Sequence, residues 1–280
     1  NSLLGVIAVI RQTFLDADWY HKSIQIIEKY PDQNNPITFH PSLSELAEFQ
    51  LNRRPILFMT KEEHGALRSL AIANEFNLSP WLLGSGYEYR RLDEIAELNP
   101  FIVFPLEFPS KPKVKDPFIA LQYSTEQLKH WDMAPDNIHK VFEKGIRFSF
   151  TSATLKNKKD FRKNIQKIID RGLPKSVALS AMTTYPAEAM GLENILGKIQ
   201  PGFLANLVIT DGDYFDTKSR VTSLWMNGKE YFVANRHKTI VKGNWELDIS
   251  GKIFDLSFQS SQTKKKTKLE KSPQQGKEKL

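Results

Sequence analysis

Ala178 to Phe215 reads A-L-S-A-M-T-T-Y-P-A-E-A-M-G-L-E-N-I-L-G-K-I-Q-P-G-F-L-A-N-L-V-I-T-D-G-D-Y-F, and within it the chain changes texture. Up to Met190 the residues suit helix, and Gly191 fits the position just past a helix end. From Gly197 the pattern turns to short apolar runs. Pro201-Gly202 makes a tight turn, with proline presetting φ and glycine accepting the positive value. A strand follows from Leu204 to Ile209.

On the C-terminal side, strands are predicted at Val221–Met226, Tyr231–Val233, Thr239–Val241 and Trp245–Ile249. Asn227-Gly228 between the first two is a type I′ hairpin signal. Residues 197–258 therefore read as a small β-rich, sandwich-like accessory region. Residues 259–280 form a Lys-rich tail. Its last twenty residues hold seven Lys against two Glu, +5 of the chain's net +7, and little that could pack. A solvated, disordered tail or linker is expected there rather than a nucleic-acid interface.

Upstream, residues 1–196 alternate short apolar runs with amphipathic helices. Helices are predicted from Leu3 to Tyr30, where Pro31 ends the pattern, and from a Ser42 or Ser44 cap to Gln50. Strands are predicted at Pro55–Met59, Pro80–Leu83, Phe101–Phe104 and Ile146–Phe150. Helices lie between them at Glu62–Phe76 and Arg91–Leu98, with segments starting near Ser124 and Pro135. Further helices follow at Lys159–Arg171, Lys175–Thr184 and from Pro186. Apolar strands of four or five residues separated by helices suggest parallel strands buried on both faces. Four such units are half of an eight-stranded barrel, although periodicity alone does not separate a half barrel from a doubly wound sheet.

The composition excludes some chemistry. The 280 residues include no cysteine, which removes disulfides, thiolate metal sites and a cysteine nucleophile. No run of about 18 apolar residues predicts a membrane span. The chain opens on Asn1 without a targeting pattern, as expected of a piece of something longer, and compartment stays open. No phosphate loop, G-x-S-x-G elbow or dinucleotide fingerprint is present.

The Ala178–Phe215 stretch resembles the segment that closes the barrel of metal-dependent amidohydrolases, particularly their imidazolonepropionase-like branch. Ala178, Leu179, Thr183, Pro186 and Ala187 match an A-L-x-x-x-T-x-x-P-A pattern. Leu196, Gly197, Ile199, Pro201 and Gly202 match L-G-x-I-x-P-G. Ala205, Asn206, Leu207 and Val208 stand where the family usually has A-D-L-V. The resemblance implies an α/β fold: the C-terminal half of a (β/α)8 TIM-type barrel, then the accessory region. It also implies hydrolysis of a non-peptide C–N bond by metal-activated water.

The implied ligands do not carry over. The H-x-H strand would precede residue 1. The other strand-end positions read Met59-Thr60, Gly84-Ser85-Gly86 and Thr151-Ser152-Ala153-Thr154, none a good ligand for a divalent cation. No metal site is expected among these residues, and no cofactor for this segment. The six histidines (His21, His40, His64, His130, His139, His237) include no i, i+2 or i, i+4 pair on one element. Pocket-facing candidates are Thr60, His64, Ser85, Glu88, Glu107 and Ser152. For His64 a solvated first-turn residue, and for Glu88 and Glu107 a loop carboxylate, are the plainer readings. Trp81, Tyr87 and Tyr89 are most simply packing residues.

Two functional readings stand. In one, the segment is a degenerate barrel, a pseudoenzyme with a structural or binding role, partnered by the missing N-terminal barrel half and by a tandem catalytic domain beyond its linker-like tail. In the other, it belongs to an active enzyme on a small-molecule substrate, whose zinc or other divalent ion is held mostly by residues upstream of residue 1.

Overall fold

A computed structural model describes residues 2–33, 37–233, 243–249, 252–258 and 268–269. The chain enters through α1 (Leu3–Lys29) and α2 (Pro41–Leu51). Ser2 caps α1 by accepting from the Gly5 N–H. Pro41, not a capping serine, opens α2, since its missing N–H and fixed φ suit the first helical position.

Four β/α units follow. Strands β1 (Pro55–Met59), β2 (Ser79–Leu83), β3 (Phe101–Pro105) and β4 (Phe148–Thr151) form one parallel sheet in the order β1-β2-β3-β4. Sequential order with no reversal differs from a doubly wound sheet, whose strand order turns back at a switch point. Helices α3 (Glu63–Glu75) and α4 (Leu92–Glu97) connect the first three strands. A longer crossover carries α5 (Pro117–Ala120), α6 (Thr125–Met133) and α7 (Asn137–Glu143) between β3 and β4. Ser124 and Gln127 form a reciprocal capping box at α6, which explains its sharp start.

Alternation along the strands sorts residues to two faces. Phe58, Leu82, Ile102 and Phe148 share one register row. They pack with Ala66, Leu70, Ile95 and Val141 from the flanking helices. Each buried side chain of this size contributes ~1.5–3 kcal/mol, so this layer dominates stability. A second cluster joins Phe14 of α1 to Ala73 and Leu78. On the other face, Leu57 and Met59 of β1 remain 48% and 77% exposed.

Helices α8 (Asp160–Asp170), α9 (Lys175–Ser180) and α10 (Thr184–Ala189) complete this part. The helix expected over Lys175–Thr184 is interrupted. Pro186 cannot donate within a continuing helix, so α10 restarts at Thr184 and places the proline in its first turn. Gly197 closes over that break with φ +88°, and a Cβ there would lie 2.8 Å from the Thr183 carbonyl. The decisive motif is thus a packing joint between the last helices and the β region.

That region holds an antiparallel sheet of β5 (Leu207–Thr210), β6 (Val221–Met226) and β7 (Lys229–Phe232), in that order. The expected turns form: the Phe203 N–H donates to the Gln200 carbonyl across Pro201-Gly202, and Asn227 and Gly228 have φ of 49° and 79°. A second antiparallel sheet contains β8 (Gly243–Ile249), β9 (Lys252–Phe258) and β10 (Lys268–Leu269). Strand β9 was not expected from the sequence. The strand expected at Thr239–Val241 lies outside the described residues, as does the tail apart from Lys268 and Leu269, which pair with Ser257 and Leu256.

Candidate functional site at the strand ends

Because β1 to β4 are parallel, their C-terminal ends share one edge of the sheet. Thr60, Ser85, Glu107 and Ser152 follow those four ends in turn. The best-defined structure on this edge is the loop after β2. Gly84 passes so close to the core that a Cβ would lie 2.5 Å from the Phe104 ring. The chain then turns through Ser85 and Gly86 into a 3-10 turn at Glu88–Arg90.

Glu88 is 1% exposed. Its Oε1 accepts from the Ser85 N–H at 2.6 Å and the Ser85 hydroxyl at 2.9 Å. Its Oε2 accepts from the Gly86 N–H at 3.1 Å and from Asn137 Nδ2 at 2.7 Å. A carboxylate offers about four acceptor sites, and here all are used. Asn137, buried at the start of α7, accepts the Tyr89 N–H at 2.7 Å through Oδ1. Glu88 therefore fastens the β2 loop to α7.

Beside this lock, His130 of α6 stacks on Tyr87 with centroids 3.7 Å apart. Arg90 lies over the Tyr87 ring at 4.5 Å. Its guanidinium reaches Glu63 at 3.3 Å and Glu126 at 2.8 Å. The Tyr89 hydroxyl holds the Arg90 pKa above its ordinary value against the effect of burial, with Glu126 and Glu63 adding to it. Burial pushes the Glu63 carboxyl up, but its own backbone N–H and the Arg90 hydrogen bond and charge outweigh that, and it titrates low. Burial and then the Arg90 charge lower the His130 pKa, against smaller opposing effects of Glu126 and Glu63.

A cavity of about 40 Å³ opens between the loops after β2 and β3, bounded by Ser85, Gly86, Glu107, Phe108, His130 and Asn137. Of the sequence-level candidates, the structure brings Ser85, Glu88 and Glu107 to this neighbourhood. Ser85 and Glu107 line the cavity, while Glu88 lies behind it and is consumed by its loop. Thr60 stands at the β1 end with its hydroxyl buried and unpartnered. His64 is exposed on the first turn of α3, and Ser152 is half-buried beyond β4; neither lines the cavity. Sequence reasoning missed Glu63, Arg90, Asn137 and the placement of His130. Asn137 lies 49 positions from Glu88, and no local pattern announces such a partner.

The divalent ion implied by the fold family does not fit these residues. Three strand ends offer the hydroxyls of Thr60, Ser85 and Ser152, which are poor neutral ligands, and the β3 end offers the single exposed carboxylate of Glu107. Of the buried carboxylates, Glu88 has no free acceptor site and Glu63 is paired with Arg90. Among the described residues, no three His, Asp or Glu side chains are grouped so as to hold a metal.

The model of the Amidohydrolase family matches residues 124–245. The amidohydrolase tasK of Hapsidospora irregularis is 38% identical over 61 residues, 22% of this chain and 6% of that protein. Over residues 124–245 the chain is similar to the Amidohydrolase family. Its fold is that of the amidohydrolase from Thermotoga maritima MSB8, with a TM-score of 0.66 and 23% identity over 82% of this chain. The superposition takes in 56% of the Thermotoga chain, so this chain spans little more than half of that protein's length.

Proposed function

We propose that this segment is a catalytically degenerate amidohydrolase barrel, acting structurally or in binding within a longer hydrolase of non-peptide C–N bonds. The observation that carries this reading is the lock at the end of β2. Where the family's histidine would fall, Ser85 and Gly86 donate three hydrogen bonds to Glu88. That arrangement holds a loop, and it leaves nothing to polarise a carbonyl or activate water. The Gly197 and Pro201-Gly202 joint keeps the assignment to the imidazolonepropionase-like branch as part of the same proposal.

Strands β1 to β4 are read as the last four of an eight-stranded barrel. Each edge strand has a single sheet neighbour among the described residues, and the exposed Leu57 and Met59 lie on the open β1 side. Uncovered edges and apolar strand faces favour pairing, so the partner inferred is the N-terminal barrel half, with a tandem catalytic domain beyond the C-terminal tail.

The superposition on only 56% of the Thermotoga chain favours one alternative. In it, residues outside this chain hold a zinc or similar ion, and Thr60, Ser85 and Ser152 form the pocket wall around a small substrate. Metal analysis of the purified 280-residue chain after zinc exposure and desalting, combined with assays on amide and lactam substrates, tests the proposal. The expected result is no stoichiometric metal and no turnover. One tightly held ion per chain, or hydrolysis by the chain alone, overturns it.

A further inference from the structure

The crossover after β3 differs in chemistry from the rest of the sheet edge. Residues Glu107 to Tyr123 read E-F-P-S-K-P-K-V-K-D-P-F-I-A-L-Q-Y. Lys111, Lys113 and Lys115 alternate along it, all exposed. Between and beyond them stand Val114, Phe118 and Leu121, which are 49%, 81% and 84% exposed. The segment is held in place: Asp116 caps α5 by accepting the Phe118 N–H at 2.8 Å, and the Lys113 N–H donates to the Tyr123 hydroxyl at 3.2 Å.

The neighbouring crossover adds charge. The loop after β4 carries exposed Lys156, Lys158 and Lys159, and Lys163 follows on α8. Helix α8 is fastened to the β3 loop, since Asn164 Nδ2 donates to the Leu106 carbonyl at 2.6 Å and the Lys167 ammonium lies over the Phe108 ring at 4.8 Å. Elsewhere Arg11, Arg68, Arg90, Arg91, Arg171, Arg220, Lys22, Lys144 and Lys175 sit in ion pairs, while others such as Lys61, Lys129 and Lys198 stand singly without one among the described residues. None of the seven lysines on these two loops and the first turn of α8 makes one among the described residues, and only Glu107, Asp116 and Asp160 interrupt them.

From this juxtaposition we infer that the β3 and β4 crossovers form a docking surface for an anionic lipid bilayer. Exposed lysines are drawn to a negative surface, at ~1 kcal/mol per residue close to it. Apolar side chains projecting among them gain by entering the boundary between headgroups and acyl chains. Nucleic acid would satisfy the lysines but would leave Val114 and Leu121 in water. An acidic protein would need a pocket for three protruding apolar groups. No helix among the described residues is long and apolar enough to cross a membrane.

The chain has no cysteine, so Phe118→Cys supplies a single thiol for a polarity-sensitive fluorophore. Vesicles mixing phosphatidylserine with phosphatidylcholine should shift its emission to the blue and brighten it. Pure phosphatidylcholine, high salt, or the same label at exposed Glu97 (next to the opposite sheet edge) should give no change. Adding K111E, K113E and K115E should weaken partitioning ~tenfold or more, given the per-lysine attraction. The inference is overturned by an unchanged signal at position 118 when the chain binds anionic vesicles, since the Lys-rich C-terminal residues would then carry the binding. An equal response to phosphatidylcholine alone or to nucleic acid also overturns it.

Discussion

Two loops leave adjacent strands of the same sheet edge and spend their polar groups in opposite ways. The loop after β2 turns inward: Glu88, Ser85, Gly86 and Asn137 satisfy one another, and Arg90 bridges Glu63 and Glu126. The crossover after β3 turns outward, with lysines that make no ion pair among the described residues and with exposed Phe118 and Leu121. The difference lies in burial. A buried carboxylate must find donors or lose the free energy of desolvation, so the β2 loop has one permitted arrangement. A solvated lysine has no such requirement and is left available to a partner.

Removing the lock should have the largest effect. Glu88→Ala leaves Asn137 Nδ2 and the N–H groups of Ser85 and Gly86 without their acceptor in a buried setting. Unsatisfied buried donors cost ~1–3 kcal/mol each, partly relieved by water entering, so a loss of ~3 kcal/mol or more is expected in urea unfolding. A loss below ~1 kcal/mol would show that the loop does not depend on Glu88, and the contrast would collapse.

A smaller, pH-dependent effect belongs to His130. Its folded-state pKa lies below the ordinary 6.5, from burial and the Arg90 charge, with Glu126 and Glu63 opposing. The unfolded chain thus takes up a proton that the folded ring resists. The contribution is complete above about pH 6.5 and is lost as pH falls through the folded value. His130→Phe, which keeps the stack on Tyr87, should lose less Tm between pH 7.5 and pH 5 than the wild type. Equal losses would mean that His130 is not the group responsible.

Much of the fold was legible because it rests on local chemistry. Short apolar runs gave β1 to β4, and Pro201-Gly202 and Asn227-Gly228 gave turns whose backbone angles only a few residues accept. Ser124 announced α6 through a capping box complete within four residues. The α9–α10 break was harder, because Thr183 and Pro186 look helical until Gly197 is seen to pack against the carbonyl between them. At the site, sequence identified Ser85, Glu88 and Glu107 as residues following strands. It could not show that Glu88 is buried, for its partner Asn137 comes from a helix beyond another strand. Long-range polar pairing has no period to read. The lysines of the β3 crossover were likewise visible as letters, while their lack of ion pairs among the described residues emerged only from the structure.

The smallest expected effect makes the most exacting test of the contrast. Glu107 and Glu88 are both glutamates shortly after a strand, and both border the neighbourhood of the same cavity. Glu107 is exposed and accepts no hydrogen bond from the described residues. Truncating it removes no buried partner and opens no cavity, so Glu107→Ala should change unfolding free energy by no more than ~0.5 kcal/mol. It also removes one negative charge from the base of a lysine-bearing loop, so any change in attraction to an anionic surface should be an increase. Urea titrations of both variants side by side read the comparison directly. If Glu107→Ala cost as much as Glu88→Ala, the β3 crossover would be fastened to the protein like its neighbour, and its lysines would belong to the fold rather than to a partner.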